Sequence, residues 1–201
     1  PAMLNSALAM TATPALAEDF DGSTATPHKR GSGRLRLDQA VGAGLYLDET
    51  EAGFLAASPS LGGDPRNLNL PGLVDSQCLN ICNFQRTVTD TVGGADWAAT
   101  AEGFPAGVVV SITPENFTLV NGASRQLSIT VDLRQSEMVG SWVYGDVRLS
   151  SDGLPDAVFT AAVFAHGGVL PTEWQINSDQ NSGWQEFTLT GLTAMPDATY
   201  Q

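Results

Sequence analysis

Two cysteines lie close together, in the run Cys-Leu-Asn-Ile-Cys from Cys78 to Cys82. The three-residue spacer allows a turn to bring the two sulfurs together, so a small disulfide-closed loop is expected in an oxidising compartment. Zinc is the alternative partner, but it needs about four ligands and these two thiols supply only half of them. The histidines, His28 and His166, lie far off in sequence and would have to be gathered by folding. We therefore predict a Cys78–Cys82 disulfide and no metal or cofactor site.

Alternating carboxylates occur in the run Asp19-Phe20-Asp21-Gly22. Acidic side chains two residues apart before a glycine are typical of the start of a calcium-binding loop. The rest of a twelve-residue loop, with its closing bidentate Glu, does not follow. A solvated turn is therefore the better interpretation.

Two further patterns have both a functional and a structural interpretation. Asn116-Phe117-Thr118 matches the acceptor motif for N-linked glycosylation, which has meaning only in a host that glycosylates. Aromatic residues could form a sugar-stacking platform, but in a β-rich domain they more often fill the core or its rim. Five aromatic residues belong to this second pattern: Trp97, Trp142, Trp174, Trp184 and Tyr144.

The elements that must position these residues are mainly strands. Leu127, Ile129, Val131 and Leu133 alternate with polar residues, which predicts a half-buried strand, and the pattern recurs at 108–112. Further strands are predicted at 82–91, 95–102, 116–120, 142–150 and 157–165. Seven short strands separated by turn residues indicate an antiparallel sandwich. On these strands Arg86, Arg125, Arg134 and Arg148 are expected to be strand-face charges paired with acids.

Helical patterns precede the strands. Met3, Leu4, Ala7, Leu8 and Ala12 fall at helical spacing, and Pro1 suits a first helical turn. Because neither an initiator methionine nor a loop precedes this helix, we interpret the chain as a fragment that begins within a longer protein. The alternative is a trimmed signal peptide cleaved after Ala15-Leu16-Ala17, although a basic n-region is missing. A second, short helix is predicted from Leu37 to Ala43, ended by Gly44.

Composition limits the classes of partner. Twenty-two acidic residues against nine Lys and Arg give a formal net charge of −13, so the average field repels phosphate. Nucleic acid and anionic membrane surfaces are therefore unlikely partners, and no apolar stretch is long enough to span a bilayer.

A series of motifs resembles one protein family. Residues 6–12, Ser-Ala-Leu-Ala-Met-Thr-Ala, resemble the helix near the end of the catalytic domain of bacterial subtilisin-like serine peptidases, the subtilases. The segments 25–27, 31–34 and 40–45 are similar to the closing segment of that domain. The runs 68–71, 86–90, 105–114 and 142–147, together with the two cysteines, resemble the fibronectin type III-like domain that follows. Asp90 departs from the family, which more often has Asn there, but either residue can cap a turn.

The resemblance implies a fold and a division of the chain. We expect a mainly β protein, an antiparallel fibronectin type III-like sandwich preceded by a short helical tail of an α/β catalytic domain. Residues 1–47 would end the catalytic domain, 48–66 would be a linker, 67–168 the sandwich, and 169–201 the start of a further β segment, in which Phe187 and Leu189 alternate with threonines.

The resemblance also implies a function. The parent protein would be a secreted, extracellular serine endopeptidase, and its catalytic domain would be the partner of this stretch. The family's Asp, His and Gly-Thr-Ser contexts are not found here, so no catalytic residue is assigned and the stretch alone should be inactive. His166, followed by two glycines, superficially resembles the family's histidine motif, but it is in the wrong order and is interpreted as a surface turn. The alternative is a free-standing secreted β-sandwich that acts as a binding or adhesion module.

Overall fold

The computed structural model describes residues 2–14 and 18–166. Two predictions lie outside these residues, namely the cleavage site at 15–17 and the β segment at 169–201 with Trp174 and Trp184. Within the described residues the helices are α1 (Ala2–Met10), α2 (Pro27–Arg30), α3 (Leu37–Ala40) and α4 (Glu51–Ala56), followed by 3-10 turns at Pro59–Leu61 and Pro65–Asn67. The strands are β1 (Leu45–Leu47), β2 (Gly72–Leu79), β3 (Ile81–Asp90), β4 (Gly94–Glu102), β5 (Val109–Thr113), β6 (Asn116–Val120), β7 (Ser124–Asp132), β8 (Trp142–Ser150) and β9 (Ala157–His166).

The strands form the two sheets of a β-sandwich, as predicted. One sheet has the order β1-β3-β7-β5 and the other has the order β2-β9-β8-β4-β6. Consecutive strands from β1 to β8 therefore alternate between the sheets, so each connection crosses the sandwich. The expectation of a wholly antiparallel fold needs one correction, because β2 pairs parallel with β9. The chain can make this parallel pair because the six strands between β2 and β9 supply the long crossover that a parallel connection requires.

The core lies between the sheets because residues alternate inward and outward along each strand. On β8, Val143, Val147 and Leu149 are buried between half-buried neighbours, and β7 buries Leu127, Ile129 and Val131. The predicted alternation of residues 127–133 is thereby confirmed. β9 is more uniformly buried, since all seven consecutive residues from Ala157 to Val163 are buried. Helices α1 and α2 account for part of that cover, because both contact β9.

The residues before the sandwich are part of its packing. Leu45 and Leu47 of β1 pair with β3 and are buried in the core, although residues 1–47 were predicted to belong to another domain. A three-residue strand is too short for a periodicity to reveal it. The predicted linker over 48–66 contains α4 and the two 3-10 turns. The predicted helix 37–43 is shorter, and Gly44 is required after it because an added Cβ would lie 2.8 Å from the Trp97 ring.

Candidate functional site

Two of the family-like motifs, the runs 68–71 and 86–90, meet in the structure. Asn69, from the run 68–71, accepts a hydrogen bond from the backbone nitrogen of Thr87 at 2.8 Å, and its side-chain nitrogen donates to the Thr87 carbonyl at 2.9 Å. The same nitrogen also donates to the Asp48 carbonyl at 3.1 Å. A single amide therefore ties the segment before β2 to β3, in the way that a neighbouring strand would.

Arg86, from the run 86–90, lies on the buried face of β3 and holds the same segment. We call these contacts between the segment before β2 and β3 the junction. Its guanidinium donates to the backbone carbonyls of Leu70 at 2.6 Å, Gly72 at 2.6 Å and Arg66 at 3.0 Å, and also to that of Gln85 at 2.6 Å. Arg86 is 2% exposed, so the prediction of a solvent-facing charge paired with an acid is wrong. Burial lowers the pKa of Arg86 to about 10, with Glu49 acting in the opposite direction. The group nevertheless stays charged at neutral pH.

Of the other predicted strand-face charges, two have acidic partners. Arg134 bonds to Asp132, with 2.6 Å between the guanidinium and the carboxylate, and Arg148 lies between Glu102 and Asp156 at 3.1 and 2.9 Å. The even-numbered position of Arg86 beside Phe84 and Val88, which are core residues, was the signal that it faces inward.

Glu49 extends the junction to α4. Its carboxylate accepts hydrogen bonds from the backbone nitrogens of Asn69 at 2.6 Å and Thr50 at 2.8 Å. Thr50 caps α4 by accepting from the backbone nitrogen of Gly53 at 3.0 Å, as N-cap threonines do. These contacts position Phe54, which is about half exposed.

Helix α1 is anchored beside this junction by one face. Ser6 accepts a hydrogen bond from the backbone nitrogen of Leu47 at 3.0 Å, and Ser6, Ala7 and Met10 are buried. At 100° per residue, Leu4, Asn5 and Leu8 lie on the opposite face, where Leu4 is 63% exposed. A helix that is apolar on both faces is normally covered on both, so the outer face of α1 is a candidate contact surface.

A groove of about 460 Å³ lies between α1 and α4, which we call the α1–α4 groove. Its lining includes Ala2, Asn5 and Ala9 of α1, Phe54 of α4 and Leu70 of the junction. The walls are mostly apolar, and Phe54 and Leu70 are the exposed large side chains among them. The groove and the outer face of α1 together form the candidate site.

The cysteines lie at the corner between the sheets. Cys78 near the end of β2 and Cys82 at the start of β3 form a disulfide, and Asn80 between them has a φ of 65°, as a tight turn requires. Asp75 lies close to both sulfurs, but its carboxylate accepts from Arg66 at 2.7 Å and from the backbone nitrogen of Gln77 at 2.8 Å. The disulfide occupies both sulfurs, so these residues do not offer thiolate ligands in this state.

The acidic run at residues 19–22 is a turn held by its own neighbours. The Asp19 carboxylate pairs with Lys29, which lowers the pKa of Asp19. Asp21 accepts hydrogen bonds from the backbone nitrogen and the hydroxyl of Ser23, at 2.9 and 2.6 Å. The carboxylates of this turn are thus directed at a lysine and a serine.

His28 lies against a short aromatic row on the outer face of β8. Trp142 and Tyr144 stack with an interplanar angle of 9° and ring centroids 6.5 Å apart. The His28 ring stands edge-on to both, at 4.3 Å from Trp142 and 5.6 Å from Tyr144, and its Nδ1 lies 3.1 Å from the Tyr144 hydroxyl. Trp97 is buried in the core, so its role is packing. Trp142 and Tyr144 are half-buried.

His166 is the last residue of β9, not part of a turn as predicted. Its ring lies 6.2 Å from that of Phe164, at two residues' distance along the same strand face. Asp90 does cap a turn as expected, since its carboxylate accepts from the backbone nitrogens of Gly93 at 2.9 Å and Gly122 at 3.2 Å. Asp90 thus joins the turn after β3 to the turn before β7.

Curated proteins similar in sequence are proteases. The chain is 25% identical over 181 residues to the subtilisin-like protease SBT2.6 of Arabidopsis thaliana, a match that covers 74% of this chain and 22% of that protein. The chain is similar to part of a subtilisin-like protease. A second match, to SBT2.5 of the same plant, is also 25% identical and covers 62% of this chain and 17% of that protein. The chain thus spans about a fifth of the length of these relatives, and no protein-family model matches it.

Solved structures give only a distant likeness. The secreted serine protease VesC from Vibrio cholerae has a TM-score of 0.37 at 14% identity, covering 60% of this chain and 27% of that chain. The periplasmic chaperone SfaE has a TM-score of 0.35 at 18% identity, covering 50% of this chain and 58% of that chain. No functional conclusion follows from likenesses at this level. Among the described residues, no helix is long and apolar enough to cross a membrane.

Proposed function

We propose that this chain is the non-catalytic C-terminal part of a secreted subtilisin-like serine endopeptidase. The sandwich stabilises the catalytic domain and shapes the access of protein substrates to it, while the acyl-enzyme chemistry belongs to residues outside this stretch. The sequence match to two subtilisin-like proteases supports the family. The junction of Asn69 and Arg86 supports the resemblance further, because it gives two separate family-like motifs one structural purpose.

The outer face of α1 is the observation that carries the proposed role. It presents Leu4 and Leu8 beside a groove that contains the half-exposed Phe54. Burying one leucine side chain contributes roughly 1.5–3 kcal/mol, so leaving this face uncovered is costly. We infer that the catalytic domain of the parent chain covers it.

Extending the coding sequence upstream of Pro1 is the first test of the family. The proposal expects ordered Asp, His and Gly-Thr-Ser contexts within about one domain's length. Purified residues 1–201 should hydrolyse no protein substrate, with a serine-protease inhibitor used to identify contamination. Inhibitor-sensitive hydrolysis that copurifies with the intact chain would contradict the inactive role.

The docking role is tested in the full-length parent with Leu4→Asp and Phe54→Asp. Each places a charge at the candidate site and should remove about 1–3 kcal/mol of apolar contact with the catalytic domain. The temperature at which half of the catalytic activity is lost should therefore fall by several degrees. Val120→Asp is the matched control, because Val120 is 67% exposed and Leu4 is 63% exposed. Equal effects of Leu4→Asp and Val120→Asp on the parent would rule out docking through α1.

A free-standing secreted binding or adhesion module is the second candidate. The stacked Trp142 and Tyr144 favour it, since sugars bind to such rings, although His28 lies across the row. Glycan-array binding that is lost in Trp142→Ala and retained in Val120→Asp would support this module. The upstream sequence separates the two candidates, because a start codon with a basic n-region would favour the module.

A further inference from the structure

We propose that Asn121 is a site of spontaneous deamidation and that Asp90 holds this reaction back by restraining the backbone nitrogen of Gly122. The reaction needs only water, so the inference goes beyond the proposed function and does not rest on it. It assigns a modification site to the turn between β6 and β7 and a positioning role to a buried carboxylate.

The pair Asn121-Gly122 has the sequence that favours deamidation. The backbone nitrogen of the glycine can attack the asparagine side chain, because glycine has no Cβ to obstruct the approach. Asn-Gly occurs at this one place in the 201 residues. Both residues are exposed in the described part of the chain, where a Cβ built on Gly122 would meet no atom within 4 Å beyond its chain neighbours. Water and a ring intermediate therefore have room at this turn.

The reaction is a ring closure followed by hydrolysis. The Gly122 nitrogen loses its proton to solvent and forms a bond to Cγ of Asn121. The bond from Cγ to Nδ2 breaks, and Nδ2 takes a proton from solvent and leaves as ammonia. Water then opens the succinimide ring. Opening at the side-chain carbonyl gives aspartate, and opening at the backbone carbonyl gives isoaspartate.

The turn keeps the reacting atoms apart. The backbone nitrogen of Ala123 donates to the Val120 carbonyl at 2.9 Å, and Gly122 has a φ of 69°, which is the pattern of a type II turn with Asn121 in its first central position. Such a turn holds ψ of that residue at about +120°, so the Gly122 nitrogen must rotate by roughly 120° to eclipse Cβ of Asn121 and close the ring. The turn must therefore open before the reaction can start.

Asp90 holds the turn closed from the end of β3. Its carboxylate accepts a hydrogen bond from the Gly122 nitrogen at 3.2 Å, and its backbone nitrogen donates to the Ala123 carbonyl at 3.0 Å. The same carboxylate oxygen accepts from the Gly93 nitrogen at 2.9 Å, and Asp90 is 4% exposed, so packing fixes its position. The carboxylate also disfavours loss of the Gly122 proton, because the resulting amide anion would lie beside a negative charge. Asp90 therefore restrains the nucleophile in both position and charge.

Deamidation would make an opening of this corner permanent. An isoaspartate continues the chain through its side-chain carbon, which adds a methylene group to the backbone. The turn hydrogen bond from Ala123 to Val120 then loses its geometry. Because β6 and β7 belong to different sheets, this turn is one of the links that hold the sheets together.

The test is incubation of residues 1–201 in mildly alkaline H₂¹⁸O, with peptide mass spectrometry to follow conversion of Asn121 to ¹⁸O-labelled aspartate and isoaspartate. In guanidinium chloride, the wild type and Asp90→Ala should react at the same rate, because the turn is absent. In the folded state, the wild type should react at least about tenfold more slowly than the unfolded chain, and Asp90→Ala at least about tenfold faster than the folded wild type, because a hydrogen bond to a charged group is lost. Asp90→Asn keeps an acceptor oxygen without the charge and should be intermediate. It replaces Asp90→Ala in the comparison if the alanine variant does not fold.

Arg86→Met is the control for a general loss of stability, because Arg86 lies near the middle of β3, away from this turn. It should leave the rate at Asn121 unchanged, and circular dichroism verifies that each variant is folded. Three results would overturn the inference. They are an unlabelled Asn121 in the unfolded chain, a folded wild type that reacts as fast as the unfolded chain, and an Asp90 variant that reacts no faster than the wild type or than Arg86→Met.

Discussion

Arg86 illustrates how one buried charge organises its surroundings. Its four hydrogen-bond acceptors are backbone carbonyls, three of them in the segment from Arg66 to Gly72. A planar guanidinium with five donors suits this arrangement better than any other side chain. The charge is also 5.8 Å from the centre of the Phe84 ring, whose face attracts cations. Arg86 is therefore the residue that fixes the segment leading to β2.

Arg86→Met should lower the free energy of unfolding by about 2–4 kcal/mol, because it leaves buried carbonyl groups without donors. Arg86→Lys keeps the charge but loses donors, so an intermediate loss is expected. Urea unfolding measures both. Arg125→Met on the exposed face of β7 is the control and should change stability by about 0.5 kcal/mol or less. A stable Arg86→Met protein would mean that the segment is held by Asn69 alone.

Asp64 should make stability depend on pH. Hydrogen bonds from the Arg66 side chain and backbone hold the pKa of Asp64 below its usual 3.8. A pKa that is lower in the folded state contributes stability above the unfolded pKa, and this stability is lost as pH falls through the folded pKa. Asp64→Asn keeps the capping oxygen and removes the charge. It should cost about 0.5 kcal/mol at pH 7, given its partial exposure, and progressively less as the pH falls below 3.8. Urea unfolding at each pH measures the difference in stability between the wild type and Asp64→Asn. A difference that stays the same in acid would mean that the loss comes from altered packing or hydrogen bonding of the side chain and not from its charge.

At the scale of elements, regular strands could be predicted from the sequence and short or cross-sheet elements could not. All seven predicted strands occur, and β6 and β8 have the predicted bounds. β1 was not predicted because three residues are too few to show a period. β2 was not predicted because its bulge between Asp75 and Cys78 interrupts the alternation. The Asn69–Thr87 contact depends on residues 18 apart. Which sheet each strand joins is likewise a tertiary property, which local patterns do not contain.

The corner between β2 and β3, which lie in different sheets, depends on the Cys78–Cys82 disulfide for part of its stability. The bond closes a short loop, with a sequence separation of 4, so the loss of chain entropy in the unfolded state is worth about 2 kcal/mol. The double variant Cys78→Ala/Cys82→Ala should be less stable by about this amount in urea. Reductant should destabilise the wild type similarly and leave the variant unchanged. An effect of reductant on the variant would show that reductant acts elsewhere.

For the whole molecule, charge imbalance decides how salt affects stability. The chain carries 22 acidic and 9 basic residues, whose net charge of −13 repels itself in the compact state. Salt weakens this repulsion but also weakens attractive ion pairs such as Lys29–Asp19 and Arg36–Asp38, which are largely exposed. Exposed pairs contribute about 0–1 kcal/mol each, and acids outnumber bases more than two to one.

We therefore expect repulsion to dominate. The thermal midpoint of residues 1–201 should rise as sodium chloride increases from about 10 to about 200 mM, because the screening length falls from about 30 Å to below 10 Å over this range. Differential scanning calorimetry at pH 7 measures this. Adding a charge tests the cause, since Gln126→Lys on β7 should raise the midpoint at low salt and flatten its salt dependence. Gln126→Ala is the control for loss of the amide. A midpoint that falls with salt would mean that the ion pairs outweigh the net charge, which would place their contribution well above that of ordinary surface pairs.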